Sequence, residues 1–205
     1  MSVEHIEVLV EEPSMEAALR QLLPRLLKQT TFAIYTHQGK KDLLLKLPSR
    51  LRGYSRYLPD NWRIVILIDR DNEDCITLKH KLEKFAHDSG LRTRASKGKG
   101  DYKVINRIAV EELESWYFGD WNAVRVAYPK MPRAIASKAA YRIPDEIVGG
   151  TWEAFERVAK KAGYFESGLR KIEAASEIAK HMKVTDNNSR SFQVFCEAML
   201  GISKE

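Results

Sequence analysis

The stretch that decides the fold is RIVILIDRD, residues 63–71, in which residues 64–68 are apolar at every position. A strand without alternation of polar and apolar residues is buried on both faces, which is typical of a parallel sheet. Three further strand-like stretches, 6–10, 31–36 and 102–110, are separated from it by helical periodicity. The sequence therefore predicts an α/β fold with a mostly parallel sheet of about four strands flanked by helices.

The pattern changes after residue 111, where no further strand is predicted. Helical stretches are expected at about 112–118, 134–142, 151–163, 168–183 and 190–201, with proline and glycine turn signals between them. In the first half, a leucine-rich helix over 41–52 is expected to break or kink near Pro48. We therefore expect an α/β core over residues 1–120 and an all-helical C-terminal extension over 121–205.

Composition limits the class of protein. The chain has 205 residues, of which 44% are hydrophobic, and a formal net charge of +6, which permits a polyanionic partner without requiring one. Cys75 and Cys196 are too few for a disulfide framework or a four-ligand zinc site, so we expect a reducing, cytoplasmic setting. No secretory signal or membrane span is expected, because the longest aliphatic run covers only residues 64–68.

Acidic side chains follow three of the predicted strands at the point where each ends. They are Glu11 and Glu12 after the first strand, Asp69 and Asp71 after the third, and Glu111, Glu112 and Glu114 after the fourth. The carboxyl ends of parallel strands open onto one edge of a sheet, and carboxylate oxygens are preferred ligands of Mg²⁺. The pattern therefore indicates a site for Mg²⁺, with Mn²⁺ as an alternative. Asp69 and Asp71, two apart, are expected to point the same way in extended backbone.

Structural roles for these acids stay open. An aspartate after a buried strand often forms a turn or caps a helix, and Asp74 is well placed to cap the helix that follows. Glu11 and Glu12 precede a helix whose macrodipole they would complement, and Glu112 could do the same for the next one.

The residues at these strand ends carry a resemblance to a known fold. A strand ending in Val10-Glu11, a helix opening with Glu16 and a strand ending in Asp69-Arg70-Asp71 resemble the TOPRIM fold of topoisomerases, primases and OLD-type nucleases. Over nearly the whole chain, the stretches 64–78, 107–120 and 189–195 are similar to a bacterial TOPRIM-like family of uncharacterised function, often encoded beside an ABC- or AAA-type ATPase.

The resemblance implies roles for particular residues. It implies acid–base chemistry for Glu11 and Mg²⁺ ligation by Asp69 and Asp71, with Glu11 close to the metal. It also aligns Glu112 with a Glu-x-Glu-x-x-Trp pattern, shortened here by one residue, as a further metal ligand. TOPRIM motifs usually have glycine where this chain has Glu12, so either the turn is relaxed here or Glu12 contributes to the site.

Two basic segments are candidates for seating a polyanion. The first begins with Lys40 and Lys41, and the second is the loop before the fourth strand, with Arg94, Lys97, Lys99 and Lys103. Basic loops beside a carboxylate cluster suit nucleic-acid cleavage, because cations seat the phosphate backbone while a metal activates one phosphate. The alternative is that both segments are simply solvated.

The functional expectation is Mg²⁺-dependent hydrolysis of nucleic acid. From the resemblance, we expect the protein to be the effector of an ATPase-partnered defence system such as those directed against phage. The alternative is a non-catalytic nucleic-acid-binding or regulatory subunit on a TOPRIM-like scaffold, which Glu12 and the mild basicity favour. Phosphotransfer to a nucleotide is opposed by the lack of a phosphate-binding loop, and an oligomer stays open.

Overall fold

The sheet consists of four parallel strands in the order β2-β1-β3-β4. The computed structural model of the chain describes residues 2–96 and 102–204. The strands are β1 (His5–Val10), β2 (Thr31–Thr36), β3 (Trp62–Asp69) and β4 (Val104–Ala109). The prediction of an α/β fold with about four parallel strands is confirmed, and the arrangement is consistent with a TOPRIM-like fold.

Helices connect the strands and make up most of the second half. They are α1 (Pro13–Leu27), α2 (Lys40–Tyr57), α3 (Cys75–Asp88), α4 (Glu114–Gly119), α5 (Trp121–Ala127), α6 (Thr151–Lys161), α7 (Lys171–His181) and α8 (Arg190–Ile202), with a 3₁₀ turn at Pro144–Glu146. In the described part of the chain, no helix combines the length and apolarity needed to cross a membrane.

The break expected near Pro48 is not observed, and the helix predicted over 134–142 does not form. Helix α2 continues through Pro48 to Tyr57, because its buried leucines, Leu43, Leu47 and Leu51, hold one face against the sheet on both sides of the proline. Residues 134–142 form turns instead of a helix. Ile135 is the one buried residue among them, so they have no apolar stripe with which a helix could pack.

The two faces of the sheet bury different sets of helices. On one face, Val65 and Leu67 of β3 belong to a core that α1 shares with the C-terminal helices, and α7 and α8 both pack on α1. On the other face, Ile66 and Ile68 pack with the apolar sides of α2 and α3. The helical segment 121–205 therefore completes one layer of the sheet's own core.

The strand order places a crevice between two strands at the centre of the sheet. The chain leaves β1 through α1 to reach β2 on one side, and β3 pairs with β1 on the other side. The carboxyl ends of two strands at such a reversal of strand order form the usual ligand-binding crevice of open α/β sheets. Glu11 directly follows β1 and Asp69 ends β3, so both acids lie at this crevice.

Candidate functional site

Glu11 and Asp69 form a buried pair of carboxylates. The backbone N–H of Asp69 donates a hydrogen bond to Oε2 of Glu11 at 3.3 Å. Glu11 is 6% exposed and Asp69 is 4% exposed. Oδ1 of Asp69 is buried without a hydrogen-bond partner among the residues that the structure describes. A buried polar atom without a partner is unfavourable, so this oxygen is available to a ligand.

The environment of the pair favours bound protons. Burial raises the pKa of Glu11 to about 7, and the negative charges of Asp71 and Glu12 add to that increase, whereas the Asp69 N–H and Lys40 oppose it. Burial also raises the pKa of Asp69, and the negative charges of Glu11 and Glu114 raise it further. Strongly shifted carboxyl groups in a crevice are typical of functional sites.

Asp71 does not repeat the orientation of Asp69. The strand ends at Asp69, and Asp71 has a φ of 50°, which is a left-handed rather than an extended conformation. Its side chain is 43% exposed and pairs with Lys40 at 3.2 Å. The expectation that extended backbone would direct both aspartates the same way was therefore wrong, although Asp71 is near enough to raise the pKa of Glu11.

Lys40 neutralises the rim of this crevice. Its Nζ donates to the carbonyl oxygen of Arg70 at 2.7 Å and forms ion pairs with Asp71 and, at 2.9 Å, with Glu73. The Lys40 side chain is only 13% exposed. The N–H of Gly39 donates to the carbonyl oxygen of Glu11 at 2.8 Å, which fixes the start of α2 against the end of β1. Lys40 is thus held by acids rather than presented to solvent, whereas Lys41 is exposed.

Glu112 binds the start of a helix. Its Oε2 accepts hydrogen bonds from Oγ1 of Thr151 at 2.9 Å and from the backbone N–H of Trp152 at 3.0 Å, in the first turn of α6. Free N–H groups in the first turn of a helix need such acceptors. Glu112 lies close enough to add to the pKa increase of Asp69, but its oxygen is already committed to α6.

Glu114, rather than Glu112, is the fully buried acid beside the pair. It is 1% exposed, and its Oε1 has no hydrogen-bond partner within the described ranges. Burial raises the pKa of Glu114 to about 7, against the opposing positive charge of Lys171. The sequence pattern predicts Glu112 as the metal ligand, with Glu114 as a neighbouring acid. The aromatic run at 116–118 could have indicated that Glu114 is buried, because it leaves α4 without a polar side to face solvent, and every residue of α4 is buried.

Lys171 is a site residue that no sequence pattern indicated. Burial disfavours its charged form, but the carboxylates of Glu114, Glu12, Glu112 and Asp69 outweigh that effect and raise its pKa. Its Nζ lies 5.1 Å from the centre of the Trp152 ring. Lys171 begins α7, so the C-terminal segment supplies a cation to the acidic site of the sheet.

Glu12 occupies a relaxed turn. Its φ of −145° and ψ of 161° are extended backbone, which any residue adopts, so no glycine is needed here. The Ser14 hydroxyl donates to Oε1 of Glu12. Of the two readings that the sequence left open, the relaxed turn is observed, and Glu12 in addition raises the pKa of both Glu11 and Asp69.

The donor chemistry of the crevice fits a hard divalent cation. In residues 2–96 and 102–204, no group of three His, Cys, Asp or Glu side chains is arranged to hold a metal ion. Mg²⁺, however, is usually bound through one or two carboxylates and keeps several waters. Glu11 and Asp69 provide two carboxylates, and Oδ1 of Asp69 has no other partner among the described residues. These residues therefore fit Mg²⁺ or Mn²⁺ without a third protein ligand.

Arg94 and Lys103, from the segment before β4, lie at the opposite edge of the sheet. Lys103 directly precedes β4, and its Nζ donates to the carbonyl oxygens of Pro59 and Asp60 at 3.1 and 2.9 Å. Arg94 donates to the carbonyl oxygen of Ala198 at 3.1 Å. The strands are parallel, so the start of β4 is about 20 Å from the carboxyl edge. The expected proximity of these two residues to the carboxylates was wrong, and Lys97 and Lys99 lie outside the described residues.

The fold and the site define an α/β protein with a buried acidic cluster of Glu11, Asp69 and Glu114 at the carboxyl edge of a parallel sheet. The chain belongs to the family described as Domain of unknown function (DUF4276), whose model matches residues 10–200. Comparisons with curated proteins and with solved structures find no match.

Proposed function

We propose that this protein is a Mg²⁺-dependent phosphodiesterase that hydrolyses nucleic acid, with Glu11 and Asp69 holding the metal. The observation that carries the proposal is the buried carboxylate pair at the β1/β3 crevice, with Oδ1 of Asp69 unpartnered among the described residues. Two carboxylates in a low-dielectric site repel each other unless a proton or a cation lies between them. A divalent cation provides that compensation and is the usual ligand of such pairs in phosphoryl chemistry.

The side chains around the pair would handle protons and charge. A pKa of about 7 allows Glu11 to accept or release a proton at neutral pH, as an acid–base group must. Bound Mg²⁺ supplies a Lewis acid that polarises a phosphoryl oxygen. Lys171 and Lys40 flank the site and limit the accumulation of negative charge when an anionic substrate enters. Asp71 and Glu112 are already paired with Lys40 and with α6, so neither is required as a ligand.

The alternative is a non-catalytic nucleic-acid-binding or regulatory subunit on the same scaffold. Two observations favour it. No three-ligand group is preassembled in the described part of the chain, and Asp71 is already neutralised by Lys40. An ATPase partner, a role in defence and a cytoplasmic location are parts of the proposal that derive from the resemblance and from cysteine usage.

The test is a cleavage assay on plasmid, single-stranded DNA and RNA in Mg²⁺, in Mn²⁺ and in EDTA. We expect cleavage with either metal by the wild-type protein and none in EDTA. Asp69→Asn removes one carboxylate of the pair and should abolish cleavage. Asp88→Asn changes an exposed carboxylate at the far end of α3 and should cleave normally. Absence of cleavage under every condition, with metal still bound, would select the non-catalytic alternative.

A further inference from the structure

A basic pocket lies in the helical C-terminal segment, away from the two basic segments predicted to seat a polyanion. It is formed between the turns that follow α5 and the last two turns of α6, and its volume is about 290 Å³. Four cationic side chains line it, namely Lys130, Lys138, Arg157 and Lys161. We call these four residues and the space between them the helical basic pocket.

The four cations are not neutralised locally. Residues 128–142 contain four basic residues and no acidic one. All four side chains of the pocket belong to exposed residues, and within residues 2–96 and 102–204 none of them forms an ion pair. Lys160, next to the pocket, shows the contrast, since it pairs with Glu156 at 3.2 Å. Clustered cations without acidic partners create a positive potential that attracts polyanions.

Helix α6 connects this pocket to the acidic site. Its first turn is bound by Glu112, beside the acidic cluster, and Lys161 is its last residue. At 1.5 Å per residue, the distance from Thr151 to Lys161 is about 15 Å. That length corresponds to the rise of about four nucleotides. One strand of nucleic acid could therefore reach both the pocket and the carboxylate pair.

We propose that the helical basic pocket binds the phosphate backbone of the nucleic acid whose hydrolysis is proposed above, a few nucleotides from the scissile phosphate. This inference rests on the proposed function. Tyr141 also lines the pocket, half-buried and stacked on Phe118 with 5.1 Å between ring centres. An aromatic ring among phosphate-binding cations is the combination that single-stranded nucleic-acid sites use, with bases stacking on the ring.

The test measures binding in EDTA, so that metal chemistry plays no part. The pocket variant combines Lys138→Gln, Arg157→Gln and Lys161→Gln. The matched control combines Lys81→Gln, Lys84→Gln and Lys204→Gln, which removes the same charge from exposed lysines elsewhere. Fluorescence anisotropy with labelled single-stranded and duplex DNA is followed over a range of salt concentrations, with poly-glutamate as a competitor.

We expect the pocket variant to lower the slope of log affinity against log salt by about two to three units, because each of the three lost phosphate contacts removes about 0.7 to 0.9. The control variant should keep the wild-type slope. Equal slopes for the two variants or absence of binding by the wild-type protein would overturn the inference. So would competition by poly-glutamate that is as strong as competition by unlabelled DNA. If binding depends on the pocket but no cleavage occurs in Mg²⁺, the inference about the pocket is supported and the proposed hydrolysis is contradicted.

Discussion

The backbone N–H of Asp69 donates a hydrogen bond to Oε2 of Glu11 at 3.3 Å, which joins the carboxyl ends of β1 and β3. The contact holds the Glu11 side chain across the crevice, beside an aspartate whose own Oδ1 is unpartnered within the described ranges. Two acids that repel each other are thus kept together by the backbone. This arrangement gives the site its affinity for protons and, in our proposal, for a divalent cation.

Glu114→Gln should reduce the dependence of stability on pH. The pKa of Glu114 is raised from 4.5 to about 7 on folding. Protonation of Glu114 therefore contributes to the free energy of unfolding. The contribution is complete below pH 4.5 and is lost as the pH rises through 7. The variant should become more stable relative to wild type between pH 5 and pH 8, by up to about 3 kcal/mol. Urea denaturation in EDTA measures the difference.

Glu146→Gln is the control for that experiment, because Glu146 is exposed. It should follow the wild-type pH dependence. If the stability of Glu114→Gln also follows the wild-type pH dependence, the side chain of Glu114 does not take up a proton on folding.

Asp69→Asn should stabilise the metal-free protein at pH 8. At that pH the carboxylates of the acidic cluster carry their greatest charge, and an amide at position 69 removes repulsion with Glu11 and Glu114. A gain of about 1 kcal/mol corresponds to an increase in Tm of about 2 to 4 °C. Asp71→Asn should give no gain, because it removes one of the two acidic partners of Lys40. Equal shifts in calorimetric Tm for both variants would contradict the inference that burial and repulsion destabilise the carboxylate of Asp69 and not that of Asp71.

Glu112→Ala should destabilise the protein through α6. The variant leaves the Trp152 N–H and the Thr151 hydroxyl without their acceptor, which is equivalent to losing a helix cap and costs about 1 kcal/mol. Glu146→Ala, at an exposed position, should cost less. Chemical denaturation of both variants tests this, and an equal loss would mean that Glu112 does not cap α6.

Lys103→Gln should affect stability and not nucleic-acid binding. Its Nζ links the start of β4 to the carbonyl oxygens of Pro59 and Asp60, and loss of these hydrogen bonds should cost about 1 kcal/mol. The salt dependence of DNA affinity should stay at the wild-type value, since Lys103 lies at the amino edge of the sheet. A lower slope would restore the loop before β4 as a nucleic-acid contact.

The sequence was sufficient for the sheet and for the two central acids. A short, fully apolar and β-branched run such as 64–68 is typical of a strand buried on both faces, and the topology of parallel sheets then brings Glu11 and Asp69 to one edge. The direction of Asp71 could not be read in the same way, because the chain leaves the extended conformation immediately after β3.

Other parts of the site depend on contacts between distant segments. The choice between Glu112 and Glu114 depends on where α6 packs, since Thr151 and Trp152 engage Glu112 from about 40 positions away. Lys171 likewise reaches the site through the packing of α7 on α1 and α5. Neither local propensity nor spacing contains that information.

Calorimetric titration of Mn²⁺ into the metal-free protein at pH 7, in two buffers of different ionisation enthalpy, tests the carboxylate pair most directly. Because the pKa values of Glu11 and Asp69 are raised, a cation that binds both must displace protons. We predict one Mn²⁺ per chain with measurable proton release, lost in Asp69→Asn and in Glu11→Gln and retained in Asp88→Asn. Equal Mn²⁺ affinity in the wild-type protein and in Asp69→Asn would contradict a metal centre at this crevice.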